Sequence, residues 1–520
     1  ELVVVATSDY WIRELYDGVY TDGGFYDGYV NAATAVDRSA FYYIGGAYQD
    51  EVMPHVRPML QKYSSNGDVE YVRYYDLVTL IPMPVNQIET QYDDQFISTI
   101  VPRPAGGLNM VLTIDYFRRY TSGGSTFSGF ARYLIIAEAD ETGDIVSQKS
   151  FWRVGTASTS AHQLNYIDSA VDGTGKIILL CSGADGALSG TFVVQLNANL
   201  TVAWEKTISY GSSIALDASN NIYIAGGGVL TASGQGVAVT KLNSSGTLVW
   251  EKAAAFASGS LTSPNTVVNR MRIDALGGIY IAGFVRGIAS FSASSKIFAF
   301  LLKLDSAGDY VWNKFDSPTS LPAGYGAKQS IVYDIRFDGS NNVYVALNTD
   351  AGTINPPEFE GDSSSINFSF DWPAVFKFNS GGTLQWSKYV SRNSPVLDTS
   401  YYSLSINLYG AENVLQVGPS GGVLLALSST RFSYEGVFDC EFDTSVVVYG
   451  SATDFAASGT YGDGFVIANS DAAFLAASAF ASALPSGVTL STPTTSVNSE
   501  TANILDLTTV RAYTTALATL

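Results

Sequence analysis

The chain has little histidine, cysteine or positive charge, and each shortage removes a class of function. Two histidines, His55 and His162, and two cysteines, Cys181 and Cys440, are all that 520 residues contain. So few groups, spread so widely, cannot build a Cys/His zinc centre, and no metal or other cofactor is expected. The cysteines fall in separate repeat units, so no disulfide is expected either. Cys181 ends an apolar run that starts at Ile177 and reads as a small buried hydrophobe. Lys and Arg total 28 against 48 Asp and Glu, a net charge of −20. No basic run is present to displace phosphate counterions, which argues against a sequence-specific nucleic-acid reader and against a protein held on anionic lipid. No apolar run reaches the roughly 18 residues of a membrane span. The chain starts at Glu1 rather than Met, as a trimmed or processed N-terminus would.

What is present points to strands. Glycine numbers 49, tyrosine 32 and phenylalanine 27, while charged residues are only 15%. That is too aromatic for a disordered chain and too poor in Glu, Lys and Arg for a helical one.

Two short units alternate along the chain. One is Lys-Leu-Asn-Ser-Ser-Gly-Thr-Leu-Val-Trp at 241–250, with relatives at 195–204, 303–312 and 377–386 and weaker copies at 62–71 and 138–147. Each is an apolar strand, an Asn/Asp-Ser-x-Gly type turn and a second strand ending in Trp, Tyr or a substitute, which reads as a hairpin. The other is Ile-Ala-Leu-Asp-Ala-Ser-Asn-Asn-Ile-Tyr-Ile-Ala-Gly at 214–226, recurring around Asp37, Asp172, Asp274 and Asp338. Looser copies at 101–113 and 417–427 carry Gly-Gly in place of the Asp turn. The Asp hairpin occurs about seven times and the Trp hairpin six, with residues 2–14 as a seventh of shorter turn. Pairing the first hairpin, 2–14, with the last, 417–427, closes a ring. The expectation is an all-β, seven-bladed β-propeller over 1–430, closed by N-terminal strands, a radial array with few exposed edges, with six or eight blades as the alternatives because two copies are loose. Residues 431–520 form a small appendage: strands over 429–468, one short Ala-rich helix over 472–484 between Ser470-Asp471 and Pro485, and a Thr-rich tail.

The two repeat units at 241–250 and 216–226 resemble the bacterial β-propeller repeat called SBBP. The resemblance is good over four blades. It implies a secreted or surface propeller and no defined reaction. The Gly/Ser/Thr/Asn/Tyr-rich, lysine-poor makeup also resembles that of bacteriophage virion and tail proteins.

The motifs for chemistry are sparse. The Trp-bearing turns depart from the docking motif of quinoprotein dehydrogenases and from sialidase Asp boxes in their spacing, and read as packing between blades. No Gly-x-Ser-x-Gly elbow surrounds a serine. Asp37, Asp172, Asp217, Asp274 and Asp338 share one turn position, and a residue repeated in every blade serves the turn. Glu358, Glu360 and Asp362, and Asp439, Glu441 and Asp443, alternate as on a solvated strand face. The most distinctive segment holds Tyr16, Tyr20, Asp22, Phe25, Tyr26, Asp27 and Tyr29 among glycines. Aromatic faces beside carboxylates suit sugar stacking or a protein interface. Stretches 116–130 and 350–371 read as long loops offering further contact surface.

The leading expectation is a non-enzymatic structural or adhesive propeller of a bacteriophage virion, in a tail, nozzle or fibre, with no catalytic residues. Its partners are other virion or surface proteins and cell-surface glycan, within a homo-oligomer or larger assembly. The negative charge suits a tube through which DNA slides without sticking. One alternative is a secreted cell-surface propeller that binds glycans or proteins. The other is a glycan-cleaving enzyme using Asp or Glu on the propeller face.

Overall fold

The computed structural model describes residues 3–7, 10–15, 28–37, 39–50, 53–76, 87–103, 106–122, 125–153, 163–184, 190–208, 210–231, 234–255, 265–286, 297–315, 330–354, 368–392, 401–407, 414–418, 422–433, 440–450, 459–461, 465–469, 504–507 and 513–515. Nearly all of them lie in antiparallel strands or the tight turns between them.

Each repeat is a four-strand meander. In the fourth, Ser213–Leu216, Ile222–Thr231, Gly234–Leu242 and Leu248–Ala255 pair in chain order. Such meanders occupy 28–76, 87–153, 163–208, 213–255, 265–315 and 330–392, here called the first to sixth units. The first strands of successive units touch one another, so these strands line an axis and the fourth strands lie outermost. The second strand is apolar throughout: Ile-Tyr-Ile-Ala at 222–225, Ile-Tyr-Ile-Ala at 279–282 and Val-Tyr-Val-Ala at 343–346 are all buried. A strand covered by a neighbouring sheet on each face loses the in/out alternation of a half-exposed one.

The repeated turn residues act as the sequence implies. Asp217 Oδ1 accepts the N–H groups of Ser219 and Asn221, both at 2.9 Å. Asp172, Asp274 and Asp338 make the same pair of bonds, and Asn243 and Asp305 do so in the Trp hairpins. Asp217 Oδ2 also accepts from the Tyr223 hydroxyl at 3.1 Å and meets Lys241 Nζ at 3.6 Å. Lys241 lies over the Tyr223 ring, and Trp250 packs edge-on to it. Asp338, Tyr344, Lys377 and Trp386 repeat that cluster. All these turns lie at one end of the units. The connections from second to third strand, and from each unit to the next, lie at the other, here called the connector end.

Three expectations need correction. The strands form six sheets rather than seven separate blades. The second and third units join in one nine-stranded sheet, because Gln163 pairs in parallel with Arg132. Hairpin counting registers turns and cannot see such a bridge.

The closing arrangement also differs. The sixth sheet pairs Leu415–Val417 and Tyr401–Asn407 with Val423–Ser433, then Cys440–Gly450, then Tyr10–Leu15, then Val3–Thr7. The N-terminal hairpin therefore lies outside Cys440–Gly450 and does not touch 417–427 as a partner. This sheet still packs on the first unit: Tyr42, Ile44 and Tyr63 share a core cluster with Leu424 and Ala426, and Gln416 Nε2 donates to the Thr34 carbonyl at 2.7 Å.

Third, the described residues contain no helix, and 472–484 lies outside them. Past residue 430 the chain adds strands to outer edges instead. Phe465–Asn469 extends the sixth unit, Ile504–Leu507 the second and Tyr513–Thr515 the first. Open strand edges bind further strands.

Candidate functional site

The repeat supplies a frame in which departures stand out. Counting back from the first residue of each axial turn (Asp37, Arg103, Asp172, Asp217, Asp274, Asp338 and Gly418) gives equivalent positions on the inner strands. Four residues before it stand Ala33, Thr99, Asp168, Ser213, Arg270, Asp334 and Val414. Two residues before it stand Ala35, Val101, Ala170, Ala215, Arg272, Arg336 and Gln416. Charge appears only in the third, fifth and sixth units, as two carboxylates and three guanidinium groups.

These five groups meet on the axis. Arg270 NH1 lies 3.2 Å from Asp168 Oδ1, and its Nε lies 3.8 Å from Asp334 Oδ1. Arg272 reaches the same two carboxylates, at 3.8 Å each. Arg336 NH1 lies 2.6 Å from Asp334 Oδ1. Neutral donors complete the carboxylates: Ser213 Oγ–H and the Ile214 N–H bond Asp168 Oδ2 at 2.6 and 2.9 Å, and the Leu415 N–H bonds Asp334 Oδ2 at 3.2 Å. Ser213 Oγ in turn accepts the Met271 N–H at 3.0 Å.

A bulge positions the buried members. The inner-strand register shifts between Tyr166 and Asp168, Val268 and Arg270, and Val332 and Asp334, and likewise in the first and second units. A bulge adds a residue to one strand and re-aims the side chain beside it. In the third, fifth and sixth units the residue after the bulge is the charged one.

Burial divides the cluster. Asp168, Arg270 and Asp334 are at most 2% exposed, whereas the Arg272 and Arg336 side chains keep 20% and 17% of their surface. Burial followed by repulsion from Arg270 lowers the Arg272 pKa. Burial pushes Arg336 down to about 10, with Asp334 opposing and the other two guanidinium groups adding to the fall. Desolvation of a cation among cations disfavours its charged form.

The sequence-chosen residues fall elsewhere. Tyr16, Tyr20, Asp22, Phe25, Tyr26 and Asp27 lie outside the described residues. Tyr29 is on Gly28–Val36, opposite Tyr48. His55 is on Met53–Tyr63, and His162 lies outside the described residues. Stretch 116–130 is not a loop: Leu108–Ser122 and Ser125–Ala139 continue as a paired hairpin up to Ser122 opposite Ser125. Residues 350–371 likewise begin and end as paired strand, from Asp350 opposite Asp371 to Ile354 opposite Phe368. The axial cluster itself was missed. Arg270 and Arg272 share one strand and Arg336 sits in another, both of which read as core, and the available signal was their absence from equivalent positions of the other repeats.

No family model matches the chain, and no curated protein matches it in sequence. Among solved structures it is similar to polysaccharide lyase Uly1, at 12% identity and TM-score 0.38, over 84% of this chain and 94% of that one. It is similar to a PL25 ulvan lyase bound to -[GlcA(1-4)Rha3S]-, at 12% identity and TM-score 0.36, over 82% and 97%. It is also similar to a subtype N11 neuraminidase-like protein, at 11% identity and TM-score 0.28, over 86% and 96%.

The expectation of a non-enzymatic virion module, with its tail, nozzle and fibre roles, is corrected. The structures named are two polysaccharide lyases and a neuraminidase-like protein, none described as a bacteriophage tail, nozzle or fibre. The nozzle also fails on geometry. Arg272 stands within 3.8 Å of carboxylates from the third and the sixth units, so side chains cross the axis and leave no bore for a duplex.

Proposed function

We propose that this protein is a glycan-processing propeller working outside the cell, with its substrate bound over the axis at the connector end. The observation that carries this reading is the break in the repeat: at the two inner-strand positions before the axial turns, charge stands in the third, fifth and sixth units and in none of the others. One feature of the connector end supports it. The hairpin that rises there from the second unit carries Tyr116, Phe117, Arg118, Arg119 and Tyr120 in succession. Aromatic faces beside forked cations and carboxylates suit sugar rings and their hydroxyl groups.

Asp168 and Asp334 are not the acid and base of such a reaction. Both are sealed from solvent and committed to guanidinium groups, so they cannot exchange protons with a substrate. Their role is to hold the arginines. The test is digestion of a panel of neutral and acidic polysaccharides. New reducing ends report any cleavage, and ultraviolet absorbance of unsaturated uronates separates elimination from hydrolysis. No cleavage and no binding across the panel rejects the reading.

A further inference from the structure

We propose that a second copy of this chain docks on the outer edges of the third and fourth units through its own third and fourth units, by strand addition.

The edges come first. Among the described residues, Val202–Ile208 and Leu248–Ala255 are the last strands of their sheets. The equivalent strands of the first, second and sixth units each carry a further strand of this chain, Tyr513–Thr515, Ile504–Leu507 and Phe465–Asn469. Those strands pair past the position of the repeat tryptophan, against Tyr74–Asp76, Ser150–Arg153 and Lys388–Arg392. At this place, then, the repeat presents an edge that strands of this chain fit, and its unpaired N–H and C=O groups bind a further strand. A lysine here is no bar, since Lys388 stands opposite Asn469. The matching stretch of the fourth unit is Lys252 followed by three alanines, short residues that let a second backbone approach. Lys252 itself is turned to Asp309 of the fifth unit, 2.7 Å away, so its charge is met within the chain.

Charge then selects the occupant. Two chains of net charge −20 repel, so copies meet where neither exposes carboxylates. Along the outer hairpin turns, the first unit exposes Asp68 and Glu70, the second Glu141 and Asp144, and the fifth Asp305 and Asp309. Residues 197–203 and 243–249, the same turns of the third and fourth units, hold no charge at all. They expose Val202, Leu248 and Val249 instead, at 42, 42 and 52%. Residues 379–385 of the sixth unit are uncharged too, but that edge already holds Phe465–Asn469. The third and fourth units thus join an unextended edge to an apolar, uncharged flank. An isologous pairing covers both with the same residues of the copy. The contact lies on the circumference and goes beyond the glycan reading, which it neither needs nor alters.

The experiment is sedimentation velocity on the full chain over a range of concentrations and at low and high salt, with amide hydrogen exchange at the same concentrations. The expected result is a two-copy mass, with exchange slowing at 204–208 and 250–255 as concentration rises. Salt should strengthen the association, because it screens repulsion between the chains and finds no ion pair to break at the contact. Val202→Lys and Val249→Lys should each weaken it about tenfold or more, the loss of one buried valine. Val69→Lys, on the first unit, should leave it unchanged. A single-copy mass at every concentration overturns the proposal. So does a two-copy mass that neither substitution weakens, which puts the contact elsewhere. Slow exchange at both edges that ignores concentration also overturns it, because the chain's own residues then cover them. Should a variant fold poorly, the concentration dependence of exchange in the native chain still decides.

Discussion

Trp250 of the fourth unit lies against Gly308 of the fifth, so close that a Cβ on Gly308 would stand 2.8 Å from the indole. Trp204 and Gly246, and Trp312 and Gly382, repeat this relation at 3.0 and 2.9 Å. The tryptophan that ends one hairpin is thus seated on the turn glycine of the next unit, which is how the repeat joins neighbours.

Gly308→Ala should therefore destabilise by about 1–3 kcal/mol, since the new methyl is overpacked and the backbone is held at positive φ. Gly308 has φ +82, whereas Gly339 has open space around it and no such constraint. Gly339→Ala should change stability by about 0.5 kcal/mol or less. Urea unfolding of the two variants checks the contrast, and equal effects would refute the seating.

The turn aspartates set an acid limit. At Asp172, Asp217 and Asp338 burial raises the carboxyl pKa, but side-chain and backbone hydrogen bonds overcome it and the net shift is downward. A carboxyl whose folded pKa lies below its unfolded one, near 3.9, stabilises fully above the unfolded value. That stability is lost as pH falls through the folded value. Asp217→Ala should cost about 2 kcal/mol at pH 7 through lost backbone and Tyr223 bonds, with a smaller penalty at pH 2. Denaturation at both pH values measures the difference.

Arg270 should be the least replaceable residue of the axis. Arg270→Met removes the cation between two buried carboxylates and should cost about 3–5 kcal/mol. Arg270→Lys should recover only part, because one ammonium cannot reproduce a fork that spans Asp168 and Asp334. Thermal unfolding of both variants, ranked below the native chain in that order, is the expected outcome.

Cys181 is a buried free thiol whose pKa burial pushes well up. Thiolate is the reactive form, so in a Cys440→Ser background labelling with a disulfide reagent should wait for unfolding. Rapid labelling of native protein would contradict the packing of this strand.

Much of the frame was legible in order. Asp217, Asn243 and their equivalents announce turns because a short side chain that bonds backbone two and four residues on is a local device, written in a few adjacent residues. The number of sheets was not legible, since it depends on Gln163 meeting Arg132 across some thirty residues. Nor was the outer place of the N-terminal hairpin, because any strand of suitable pattern can add to an open edge, and Cys440–Gly450 reached Val423–Ser433 first.

By itself the sequence determined the all-β class, the meandering hairpins and the turn chemistry, all consequences of composition and short-range spacing. Only the tertiary structure decided the axial site. Asp168, Arg270 and Asp334 are separated by 102 and 64 residues in the chain, and what makes them one group is that a buried charge must find its partners in space, where sequence distance counts for nothing.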